Sequence, residues 1–226
     1  MAIKYLAIIQ ARCGSTRFPN KVLQKINNKT LIRIIFERLR KSKKIDKIIL
    51  ATTKKTEDDS LAKEINSLGY EVFRGSENNV LKRYFDAAKK YNPHSVVRIT
   101  GDCPLIDGSI VDKIINLYER SEADYCSNVI PPTFPDGLDA EVFSMSALKV
   151  AHKNAIDNFQ REHVTPFIIK NDNFKKNNLT YHLDLSNERL TVDEEDDYSV
   201  IKNIFKNFYP EINFSFEDVM LLLQSN

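Results

Sequence analysis

At 226 residues the chain can bury a full core, and a formal charge of +2 with 28% charged residues carries no nucleic-acid-binding signature. No apolar run reaches the ~18 residues needed to cross a bilayer, and the amino terminus turns polar too soon for a secretory signal, so the expected location is the cytoplasm. Cys13, Cys103 and Cys126 are odd in number and lack CxxC spacing, which argues against a disulfide framework or a zinc site.

The first element is the apolar run 5–9, a buried strand, which breaks into QARCGSTRFPNKVL at residues 10–23. Gly14, Ser15 and Thr16 have small side chains that let backbone N–H groups turn toward one anion. Arg12, Arg17 and Lys21 add planar and point-like positive charges that suit different oxygens of a triphosphate. The string is neither GxxxxGK[ST] nor GxGxxG, so P-loop kinases and dinucleotide dehydrogenases are disfavoured.

Leu31, Ile34, Ile35 and Leu39 recur at helical spacing, and 47–53 is a short apolar run suited to a buried parallel strand. Leu61, Ile65 and Leu68 predict the next helix, opened by Glu57, Asp58 and Asp59 and ended by Gly69. A strand at 70–73, a helix at 80–90, a strand at 95–100, a helix at 107–120 and a strand at 124–127 continue the beat. Such alternation predicts an α/β fold with a three-layer, mostly parallel, doubly wound sheet, whose ligands lie beyond the carboxyl ends of the strands.

The beat fails at VIPPTFPDGLDAEVF, residues 129–143, which is too irregular for a helix and too long for an idle turn. A strand at 140–143 follows, then helices at 147–154 and 160–170. Strands are expected at 179–183 and 190–192, before a helix burying Tyr198, Ile201, Ile204 and Phe205 and an amphipathic end at 214–223. The absence of repeats or linkers predicts one domain, 1–226.

Thr100-Gly101-Asp102-Cys103-Pro104 ends the fourth expected strand and projects a carboxylate over the edge that carries the basic loop. Hard divalent cations take one or two carboxylates plus substrate phosphate oxygens, which makes Asp102 the first metal candidate. Asp193, at the expected end of 190–192, fits either a second metal ligand or a helix cap.

Taken together, ARCGSTRFPNKVL, RGSENNVLKRY, RITGDCPLID, REHVTPF and RLTVDEEDD resemble the cytidylyltransferases of spore-coat polysaccharide biosynthesis, a group related to the 3-deoxy-manno-octulosonate and acylneuraminate enzymes. The resemblance covers most of the chain. It implies a nucleotide-diphospho-sugar transferase type of fold and Mg²⁺-dependent transfer of CMP from CTP to a phosphorylated or acidic small acceptor, with pyrophosphate leaving. By the same resemblance Ala11, Arg12, Gly14, Ser15, Arg17 and Lys21 bind the triphosphate, with Arg12, Lys21 and Asp102 catalytic. Asp102 and Asp193 hold the metal, and Arg74, Gly75 and Arg98 line the nucleotide pocket. The Thr16-Arg17 pair follows the octulosonate enzymes and departs from the lysine-glycine of the acylneuraminate ones, and Glu195 stands where relatives often carry proline.

Acceptor recognition is expected from Asp136, Asp139 and Glu141 on the long loop and from Arg161, Glu162 and His163 beyond it. A homodimer is also implied, with interface and acceptor elements within 129–180. Two other readings compete. A glycosyltransferase of related fold would use Asp-x-Asp, which Asp102-Cys103-Pro104 does not supply; a non-catalytic nucleotide-binding module would not need both Asp102 and Asp193.

Overall fold

The computed structural model describes residues 2–225. In chain order it runs through β1 (Tyr5–Gln10), a ribbon of β2 (Lys25–Ile26) and β3 (Lys29–Thr30), α1 (Leu31–Leu39), β4 (Lys47–Thr53), α2 (Asp59–Ser67), β5 (Glu71–Gly75), α3 (Val80–Tyr91) and β6 (Ser95–Thr100). The second half contains α4 (Gly108–Ser121), β7 (Tyr125–Ser127), β8 (Glu141–Ser144), α5 (Met145–Asn154), α6 (Asn158–His163), α7 (Pro166–Lys170), β9 (Lys176–Asn178), α8 (Glu195–Asn207) and α9 (Phe216–Gln224).

The seven-stranded sheet has the order β5-β4-β1-β6-β8-β7-β9. β5, β4, β1 and β6 are mutually parallel, β8 runs antiparallel to both β6 and β7, and β9 is parallel to β7. β1 is buried on both faces because its side chains alternate between two cores. Tyr5, Ala7 and Ile9 pack with Ile35, Ile65, Ile114 and Phe205 on one face. Leu6 and Ile8 pack with Leu81, Tyr84, Leu148 and Ile168 on the other. This is the three-layer, mostly parallel arrangement that the alternation predicts, and no described helix is long and apolar enough to cross a membrane.

Two expected strands are absent. The strand in the neighbourhood of 179–183 is instead Lys176–Asn178, paired with β7. Residues 190–192 form no strand: Leu190 N donates to Asp136 O at 2.7 Å and Val192 N to Asp102 O at 2.8 Å. This segment therefore runs along the carboxyl edge of the sheet, stitched to loops rather than to a neighbouring strand. The expected helix 160–170 divides into α6 and α7. Pro166 lacks an N–H and its ring would meet the carbonyl four residues back, so the chain turns through Val164 (φ 71°) and restarts with proline in the first turn of α7.

Candidate active site

β1 hands the chain to the basic loop, which is held from two sides. Gly101 N donates to Gln10 O at 2.8 Å, and a Cβ on Gly101 would lie 2.6 Å from Ala11 Cβ, so glycine is what lets the loops after β1 and β6 touch. On the far side Cys13 N donates to Asp58 Oδ1 at 2.7 Å, while the Thr53 amide and hydroxyl donate to Oδ2. Burial works to raise the Asp58 carboxyl, but the hydrogen bonds from Thr53 and Cys13 outweigh it and hold it below its ordinary value.

Within the loop, Ser15 N and Asn20 N converge on Cys13 O at 2.8 and 3.0 Å, and Asn20 (φ 56°) turns the chain into a short 3₁₀ turn, Lys21–Leu23. The N–H groups of Gly14, Thr16 and Arg17 have no acceptor among the described residues. Unpaired amides beside arginine and lysine side chains form an anion cradle. These residues border a cleft of about 780 Å³ whose lining includes Arg12, Gly14, Ser15, Arg17, Lys21 and Asp102.

Lys21 ties the cleft together. Its Nζ donates to Asp193 Oδ1 at 2.7 Å and lies 3.4 Å from Asp102 Oδ2, although its side chain is only 11% exposed. Arg17 Nη2 sits 2.8 Å from Asp193 Oδ2 and its Nη1 3.1 Å from Glu194 Oε1. Burial works to raise the Asp193 carboxyl, and Lys21 and Arg17 together pull it below the usual range. Asp193 does not cap α8. Glu194 takes that position in a capping box with Asp197, and Asp193 is left to the cations.

Asp102 and Asp193, brought to one point from residues far apart in sequence, belong to a chain that matches the cytidylyltransferase family over residues 6–214. The chain belongs to the cytidylyltransferase family. As a family member it is a nucleotidyltransferase. It is similar to the spore coat polysaccharide biosynthesis protein SpsF of Bacillus subtilis, at 31% identity over 98% of this chain and 94% of that one. The structure of a cytidylyltransferase from Leptospira borgpetersenii serovar Hardjo-bovis superposes with a TM-score of 0.94 at 35% identity, covering 99% of this chain and 95% of that one. CMP:2-keto-3-deoxy-manno-octonic acid synthetase, solved in complex with CTP, shares the fold with a TM-score of 0.71 at 14% identity, covering 90% of this chain and 99% of that one.

In this cytidylyltransferase Ala11, Glu162 and His163 also line the cleft, the last two at the end of α6. Other expected residues are not brought there. Arg74 donates to Thr53 O at 2.8 Å and Lys55 O at 2.6 Å, and with Gly75 it lines a separate, smaller depression. Arg98 and Glu141 form an internal ion pair beneath the cleft. Burial opposes the Arg98 charge, but the Glu141 carboxylate more than offsets it and holds the guanidinium protonated. The other oxygen of Glu141 accepts from Tyr125 Oη and Thr165 Oγ1, each at 2.7 Å, so this residue crosslinks strands and the α6–α7 turn instead of facing an acceptor. Arg161 reaches back to Ala155 O at 3.5 Å.

Asp136 and Asp139 stand near enough to Asp102 for the three charges to act on one another. Burial, then Asp136 and Glu141, push the Asp139 carboxyl up to about 7. All three cysteines are buried, and burial pushes Cys13 and Cys126 up to about 11, which removes them as nucleophiles.

Two residues that shape the site escape sequence reasoning. Asp58 looks like an acidic helix start, and its hold on Cys13, 45 residues away, leaves no local pattern. Arg83 lies on the cleft wall within the buried stripe of α3, a charged residue in a helical position otherwise apolar. Among the described residues no three His, Cys, Asp or Glu side chains cluster as a closed metal cage. A hard cation that keeps water and phosphate oxygens needs only one or two carboxylates, a requirement that Asp102 and Asp193 fit where they meet at Lys21 Nζ.

Proposed function

We propose that the protein transfers CMP from CTP to a small phosphorylated or acidic acceptor, with Mg²⁺ as its divalent ion, in the synthesis of a surface polysaccharide or glycoconjugate. The observation that carries this reading is the convergence of Asp102 and Asp193 on Lys21 Nζ beside three unpaired loop amides. Family membership supports the nucleotidyl chemistry, the CTP complex of a structural neighbour supports the nucleotide, and the name of SpsF supports the pathway.

In this reading the free amides of Gly14, Thr16 and Arg17, with the Arg12 and Arg17 side chains, take the β- and γ-phosphates. An acceptor oxygen attacks the α-phosphorus in line, and the bond to the pyrophosphate oxygen breaks. A divalent ion held by Asp102 and Asp193 would supply charge neutralisation at the reacting phosphate. Lys21, nearly enclosed and already between the two carboxylates, supplies a fixed positive charge that stabilises the leaving pyrophosphate. Glu162 and His163 on α6 border the acceptor side, with Asp136 and Asp139 beyond Asp102. A phosphate acceptor arrives as an anion and needs no general base. Ile130, Val150, Ile156 and Phe159 are exposed apolar side chains within 129–180 and favour a homodimer through that region.

Incubated with CTP, Mg²⁺ and a panel of phosphorylated acceptors, the protein should release pyrophosphate. Asp102→Asn should lower that rate about 100-fold or more while the melting temperature stays near that of the wild type. Equal turnover in the variant would remove Asp102 from the metal site.

A further inference from the structure

The basic loop spans the cleft between two chemically different flanks. At one end Arg17 and Lys21 meet Asp193 and Asp102. At the other, Arg12 Nη1 lies 3.6 Å from Glu77 Oε1, on the turn between β5 and α3. A triphosphate held along the loop between Arg17 and Arg12 leaves its base beyond Arg12, on the second flank. That second flank contains Val80, an apolar surface, and Arg83.

Arg83 is an anomaly by ordinary structural standards. It is 3% exposed, no carboxylate among the described residues forms an ion pair with it, and its Nη1 donates to Ser76 O at 2.6 Å. Its Nε is enclosed without any hydrogen-bond partner, and Nη2 makes no hydrogen bond among the described residues. Burial pushes the guanidinium below its usual value, and Arg12 adds to the effect. An unpaired buried charge costs stability, and an apolar side chain of the same length would fill the space better. The chain also clears room for it: a Cβ on Gly75 would lie 2.9 Å from Arg83 Cγ, so the glycine lets the arginine stem lie across the end of β5.

We propose that Arg83 determines the base, its unbonded Nη2–H donating to the acceptor edge of cytosine, where O2 and N3 lie side by side. Nη1 is anchored on Ser76 O, which fixes the plane of the guanidinium and leaves Nη2 as the free donor. Cytosine offers O2 and N3 as neighbouring acceptors. Uracil offers O2 beside an N3–H, which would oppose the Nη2 donor in an enclosed site. A site built on buried hydrogen-bonding groups rejects the mismatched ligand strongly because its own donors are then left unpaired. Guanine carries a comparable acceptor pair at O6 and N7, and a phosphate also fits a guanidinium fork, so both enter the test. The inference rests on the nucleotidyl-transfer reading and adds to it the residue that selects the nucleotide.

The test is calorimetric titration of CTP, UTP, ATP and GTP with Mg²⁺ into the full-length wild type and Arg83→Met, with melting curves of both proteins free of ligand. The wild type should prefer CTP over UTP by about 100-fold, and Arg83→Met should reduce that preference to about threefold or less. Its ligand-free melting temperature should be unchanged or higher, because the substitution removes an unpaired charge. A loss of affinity equal for all four nucleotides would make Arg83 a phosphate contact and overturn the proposal. A fall in melting temperature with selectivity intact would make it a structural arginine, with the same consequence.

Gly75→Ala, which keeps the charge but crowds the stem, should lower selectivity severalfold and keeps the proposal testable if Arg83→Met does not fold. A wild type that binds CTP and other triphosphates alike overturns this inference alone. One that binds none overturns the nucleotidyl-transfer reading as well.

Discussion

Two carboxylates that converge on one point repel each other, and the Lys21 ammonium between Asp102 and Asp193 removes that repulsion while remaining nearly enclosed. Asp139, which has no ion-pair partner among the described residues, titrates differently. Its carboxyl is pushed up to about 7 by burial and then by Asp136 and Glu141, against about 4 in an unfolded chain. Between these values the folded state holds a proton that the unfolded state has released, so folding stability declines as the pH rises from about 4 through 7. Asp139→Asn removes this contribution. In chelator, denaturant unfolding of variant and wild type should diverge progressively from pH 5 to pH 8, with the variant more stable by about 1–3 kcal/mol at pH 8, the figure being reduced for residual solvent contact. A difference that does not change with pH would contradict the assignment. The residues of the loop at 10–23 were legible because their charges and small side chains lie consecutively. Arg98 and Glu141 were not, since each looks like a free polar group until the sheet pairs them.

Among elements, the beat of strands and helices through α4 was readable from periodicity alone, because the central strands β1 and β6 are largely buried on both faces and each helix carries one apolar stripe. Legibility ends at 129–143 and 179–193, where the chain is held by contacts distant in sequence. Gly137 is the clearest instance. It adopts φ 110°, and a Cβ there would lie 2.5 Å from the carbonyl carbon of Leu190. Gly137→Ala should therefore strain the loop and press the 189–191 segment away from it, displacing the support of Asp193. We expect a loss of about 2 kcal/mol or more in denaturant unfolding and at least a tenfold fall in pyrophosphate release. Full activity in this variant would mean that Asp193 is positioned without that segment. The division of α6 from α7 had a visible cause in Pro166, but the positive φ at Val164, which ends α6 just past His163, emerges only in three dimensions.

At the scale of the whole molecule, β1 lies at the centre of the parallel half of the sheet, so the loops after β1 and β6 open together at its carboxyl edge, where ligands of such sheets bind. The 189–193 segment then crosses the same edge and brings Asp193 opposite Asp102, completing from the carboxyl-terminal part of the chain a site begun at residue 11. In the proposed reading the cradle would hold the outer phosphates as the leaving group, which predicts attack at the α-phosphorus. Phosphorus NMR of CTP incubated with the protein, Mg²⁺ and a phosphorylated-acceptor panel tests this most directly. The predicted result is a new CMP–acceptor phosphorus signal growing one-to-one with pyrophosphate; formation of CDP with orthophosphate or a phosphorylated acceptor would place the attack at the γ-phosphorus and contradict the account.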